Sequence, residues 1–133
     1  MAVRIEGAAL AGISAQWASQ FARLTARLLG RTNDDIAIIF VTADKIAKLN
    51  AAYRHKKGAT DVLSFPSGSP KELGDIFIAP KVAAKKATEK GMAARSYLAL
   101  LIVHSVLHLG GYDHASPKET AVMNKMENKI LKR

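Results

Sequence analysis

Three of the four histidines in the chain fall within eleven residues, HSVLHLGGYDH, at His104, His108 and His114. In a helix, residues four apart stand on one face with their β-carbons about 5–6 Å apart, so His104 and His108 can present two imidazoles to one cation. Gly110 and Gly111 follow at once. Glycines accept the left-handed backbone that ends a helix and turns the chain, a route by which His114 can return as a third ligand. Three nitrogen ligands with the fourth tetrahedral position open to water characterise catalytic rather than structural zinc, and one zinc ion per chain is the expectation. Chance is a poor competitor, since a chain of this histidine content carries such a spaced triple with an expectation of about 0.004. Packing is no better, because converging buried imidazoles leave nitrogens unpaired unless something shares them.

Zinc held by neutral imidazoles keeps its charge and can acidify a water to near pH 7 or polarise a phosphoryl oxygen. The spacing also fits the zinc-protease pattern H-E-x-x-H-x-x-G-x-x-H, with Gly111 at its glycine. Ser105 stands where that pattern needs glutamate. A serine hydroxyl cannot take a proton from water near neutral pH, so a metalloprotease is the minority reading.

The elements that would carry these residues can be traced along the chain. VRIE (Val3 to Glu6) alternates as a short strand. Ile13, Trp17, Phe21, Leu24 and Leu28 recur at helical spacing and predict an amphipathic helix closed by Gly30. DIAIIFVT (Asp35 to Thr42) is a buried strand, and a second helix follows with Ile46, Leu49 and Tyr53 inward. Two short strands, Val62 to Phe65 and Asp75 to Ala79, flank a Pro/Gly/Ser loop. Pro80 opens a third helix, the histidine helix runs from about Ala93 to Gly110, and Ser116 and Pro117 start the last one. Helices and strands without strict alternation predict an α+β fold: a single domain spanning 1–133, a small mixed sheet covered by helices, and a zincin-like helix carrying the metal site.

Composition sets the outer bounds. With no cysteine there is neither disulfide nor thiolate ligand, which suits a reducing compartment, and a cytoplasmic location is expected. The longest apolar run, Tyr97 to Tyr112, is interrupted by two histidines and too short for a bilayer, so no membrane partner is expected. Lys and Arg number 20 against 11 acidic residues, a formal charge of +9 that favours a polyanion such as nucleic acid.

HSVLHLGGYDH, together with ATDVLSFP (Ala59 to Pro66), LGDI (Leu73 to Ile76), LNAAYR and MENKIL, resembles the YbeY family of bacterial endoribonucleases, in order from about Asp35 to Leu131. The resemblance implies a zinc held by His104, His108 and His114, and single-strand-selective RNA cleavage. It further implies 3′-end maturation of ribosomal RNA and ribosome quality control, with the ribosomal subunit or assembly proteins as partners. It makes Arg54 the arginine tied to activity. A guanidinium, always charged and able to donate two parallel hydrogen bonds, suits an anionic pentavalent phosphate; the alternative is a helix-end cation that complements the dipole. Lys56 and Lys57 would hold neighbouring phosphates of the RNA or form a solvated loop. Asp113 would orient an imidazole, a role favoured over that of a base, or equally cap the turn before His114. His55 lies outside the ligand spacing. Thr60, Asp61 and Ser64 suit strand-edge hydrogen bonding or substrate contact. Ser105 replaces a usual glycine, and RHKKGATD replaces a usual Arg-Gly-Lys-Asp loop, a change that bears on substrate choice. The alternative reading is a non-catalytic RNA-binding ribosome-assembly factor whose metal stabilises the fold.

Overall fold

A computed structural model describes residues 1–112 and 116–132. The chain order is β1 (Val3–Glu6), a 3-10 turn (Ala8–Ala11), α1 (Ala15–Leu28), β2 (Asp35–Phe40), α2 (Ala43–Arg54), β3 (Val62–Pro66), β4 (Glu72–Ile78), α3 (Pro80–Glu89), α4 (Ala94–Leu109) and α5 (Pro117–Leu131). The four strands form one mixed sheet in the order β1-β2-β4-β3, with β1 and β4 parallel to β2 and β3 antiparallel to β4. This is the small α+β domain expected.

The central strand β2 is apolar because both its faces are covered. Ile36, Ile38 and Phe40 point with Leu73, Ile76 and Ile78 of β4 into the main core, which is closed by Ala18 and Ala22 of α1, Ala83 and Ala87 of α3, and Leu98, Ile102 and Val106 of α4. A smaller cluster on α2 sets Ile46 against Leu63, Ala79 and the half-buried Phe65 and Phe77. No single helix among the described residues is long and apolar enough to cross a membrane.

Several local expectations shift. The inner stripe of α1 is Ala18, Ala22, Thr25 and Ala26, while Leu24 is 37% exposed. Small residues let this helix lie close on its neighbour, and the larger Trp17 and Phe21 flank the seam, packed edge to face at 5.0 Å. Tyr53 is likewise turned outward, 66% exposed, with its ring against Phe65. β4 begins three residues before the expected Asp75, because a register shift opposite Asp35 and Ile36 breaks its alternation. Gly74 sits beside that shift with φ of 143°, and a β-carbon there would run into the Phe65 carbonyl oxygen.

Candidate active site

Helix α4 is apolar on nearly every side, so it lies in the middle of the fold, with Leu101, Ile102, Val103, Val106 and Leu107 all buried. The two histidines occupy the stripe where that cover fails: His104 is half-buried and His108 exposed. The helix stops as the sequence requires, but the two glycines divide the work. Gly111 takes the positive φ, 100°, and its N–H donates to the His108 carbonyl. Gly110 keeps ordinary dihedrals; a β-carbon there would meet the Leu29 side chain at 2.6 Å. It is there for close approach, not for a left-handed turn. Asp113 and His114 lie outside the described residues, and no three histidine, aspartate or glutamate side chains among the described residues are grouped to hold a metal.

The opposite wall comes from the end of α2 and from β3. Arg54 is the last residue of α2, and its Nη2 donates to the Ser64 carbonyl at 2.8 Å while the guanidinium lies 5.6 Å from the centre of the Phe65 ring. Phe65 is in turn wedged between Tyr53 and Phe77, at 5.6 and 5.8 Å. One of five N–H donors is thus spent on fixing the head group. His104, Ser105, His108, Arg54, Val62, Leu63 and Ser64 line a single cleft of about 230 Å³. The structure therefore brings together His104, His108 and Arg54 of the residues singled out in the sequence.

The loop after Arg54 is held from below. His55 caps α2 in the left-handed region at φ of 55°, the backbone Arg-Gly would adopt more easily. The buried Asn50 donates from Nδ2 to the Gly58 carbonyl and accepts from the Lys56 amide. Lys56 and Lys57 stand exposed on that loop, outside the cleft lining. Asp61 is structural: 6% exposed, it accepts hydrogen bonds from Tyr97 Oη at 2.7 Å and from Lys86 Nζ at 3.2 Å. Burial, then the bond to Asp61 and that residue's charge, push the Tyr97 hydroxyl well above the usual phenol range. Ser64 does its work through its main-chain carbonyl.

One residue of the site escaped the sequence reading. Glu127, from the inward face of α5, is 4% exposed and lies with Oε1 3.0 Å from His104 Nδ1. The signal was faint: Met123, Glu127 and Ile130 follow helical spacing, so a carboxylate occupies a position where periodicity calls for an apolar side chain. A larger depression of about 380 Å³ is lined by Arg4, Asp35, Glu72 and Asp75, far more acidic than a polyanion would tolerate.

The family model described as endoribonuclease YbeY matches residues 9–133. A relative from Stenotrophomonas maltophilia (strain K279a), named endoribonuclease YbeY, is 43% identical, with 81% of this chain and 73% of the relative covered. Another of that name, from Carboxydothermus hydrogenoformans, is also 43% identical over 72% of this chain and 69% of its own. The solution structure of TM1509 from Thermotoga maritima shares the fold, with a TM-score of 0.68 at 24% identity over 96% of this chain and 88% of that one. The chain belongs to the endoribonuclease YbeY family of RNA-cleaving hydrolases.

Proposed function

We propose that the chain is a zinc-dependent, single-strand-selective endoribonuclease of the cytoplasm, acting in 3′-end maturation of ribosomal RNA and in ribosome quality control, with the ribosomal subunit or its assembly proteins as partners. The observation that carries the reading is the shared cleft, with two imidazoles on successive turns of α4 facing a guanidinium anchored on β3. The donor set suits zinc: neutral imidazoles are its ordinary nitrogen ligands, and the Glu127 carboxyl group stands 3.0 Å from His104 Nδ1. His104 and His108, with His114 as the third, would hold the ion; when bound, it supplies Lewis-acid polarisation of a phosphoryl oxygen.

The protein's own groups do the rest. Arg54 donates its remaining N–H groups to the equatorial oxygens of the phosphate, where negative charge grows as the attacking oxygen closes in. Because the Ser64 carbonyl already fixes the guanidinium, little reorganisation is needed at that moment. Lys56 and Lys57 hold neighbouring phosphates and so position RNA without reading its bases.

The test is to purify the protein, quantify bound zinc and incubate it with single-stranded RNA, duplex RNA and a casein-type peptide. His108→Ala should lose zinc and cleavage together. Arg54→Ala should keep zinc and cut about 10²–10³-fold more slowly. Cleavage indifferent to both substitutions means a contaminating nuclease and overturns the enzymatic reading. Zinc retained with no cleavage of any RNA selects the assembly-factor alternative.

A further inference from the structure

Buried carboxylates are rare because removing the charge from water is costly unless it finds partners. Glu127 is one of them. It sits among Met123, Met126 and Ile130, on the helix face that packs against Val103, Leu107 and Tyr112, where a methionine or leucine would serve packing better. What it gains is the 3.0 Å bond to His104 Nδ1. An ionised carboxylate offers lone pairs and no hydrogen, so beside it Nδ1 is the donor. The neutral ring then carries its hydrogen on Nδ1 and a lone pair on Nε2.

From this geometry we infer that Glu127 is a positioning residue, which fixes the tautomer and the ring plane of His104 so that Nε2 is the metal-ligating nitrogen. The inference rests on the zinc reading of the cleft and goes beyond it, assigning a role to α5, an element that contributes none of the cleft-lining residues. A free imidazole divides its neutral population between two tautomers and turns about two side-chain torsions; each wrong arrangement must be undone before an ion can bind. The fixed carboxylate removes both alternatives beforehand and makes the ring a stronger base toward the metal. Val103 and Leu107, one turn apart on the buried face of α4, are packed on Met123 of α5, so the carboxylate and the imidazole are held by two helices fixed against each other.

The experiment uses the full chain, free of metal and labelled with ¹⁵N in histidine. Long-range proton–nitrogen correlation spectra distinguish a protonated ring nitrogen from a bare one; zinc affinity is then measured by competition with a chromophoric chelator. Wild-type protein at pH 7.5 should show His104 hydrogen on Nδ1. Glu127→Ala should bind zinc about 10–100-fold more weakly. Glu127→Gln, which keeps the volume and one acceptor oxygen but not the charge, should fall between the two. Hydrogen found on Nε2 of His104 in the wild type overturns the inference. So do variants whose zinc affinity stays within twofold of wild type while their melting temperatures drop, the signature of a residue that only supports the fold. Should Glu127→Ala fail to fold, Glu127→Gln and the wild-type spectrum decide. A wild-type protein with the Nδ1 tautomer but no zinc affinity would refute the zinc reading while leaving the positioning intact.

Discussion

Removing Asp61 should be among the most damaging single changes outside the apolar core. Its carboxylate is 6% exposed and joins three elements: the start of β3, Tyr97 on α4 at 2.7 Å and Lys86 on α3 at 3.2 Å. The Tyr97 bond is short and has a charged acceptor, a class worth about 1.5–3 kcal/mol. The Lys86 side chain is 42% exposed, so solvent screens that pair and it adds under about 1 kcal/mol. Asp61→Ala also strands the Tyr97 hydroxyl in the interior, for a total loss of about 2–4 kcal/mol. A double-mutant cycle with Tyr97→Phe, followed by urea denaturation at pH 7.5, isolates the bond: the single losses should exceed the double-mutant loss by about 1.5–3 kcal/mol. Zinc affinity should change little, since α4 keeps both histidines. A coupling near zero, or an Asp61→Ala loss below about 1 kcal/mol, would refute the assignment of Asp61 to the framework and return it to the list of substrate-contacting residues.

Three further outcomes can be checked. The raised Tyr97 hydroxyl contributes stability that is complete below about pH 10, the unfolded phenol range, and is lost as pH climbs above it, because the unfolded chain releases a proton the folded one retains; the alkaline decline in urea midpoint should be shallower in Tyr97→Phe. His55→Gly should raise stability by roughly 0.5–1 kcal/mol, since position 55 has φ of 55°, with thermal melting as the measure. Gly74→Ala should cost more than about 2 kcal/mol and broaden the amide spectrum of β3 and β4, because its methyl group has nowhere to go but the Phe65 carbonyl.

The legible parts of the chain were those where one residue type has one physical use. Ser116 and Pro117 begin α5 as read, with Ser116 Oγ accepting from the Glu119 amide, and Thr42 caps α2 in the same way. The histidine pair lands on one stripe of α4 because the four-residue spacing permits little else. Sites formed across long sequence separations were hidden: the Arg54–Ser64 bond and the His104–Glu127 pair depend on how α2, β3, α4 and α5 are stacked, which no local pattern encodes. On α1, side-chain size does not report burial. Where two helices lie close, alanine goes to the seam and the bulky side chains are displaced to its rim.

The guanidinium on β3 has a second effect, on solubility. β3 ends the sheet, so its outward main-chain groups are a template on which a stray strand from another molecule could grow. Arg54 occupies one of those acceptors with a permanent positive charge, and Pro66 closes the strand. Two chains approaching border to border would bring like charges together at this edge, where a strand could be added.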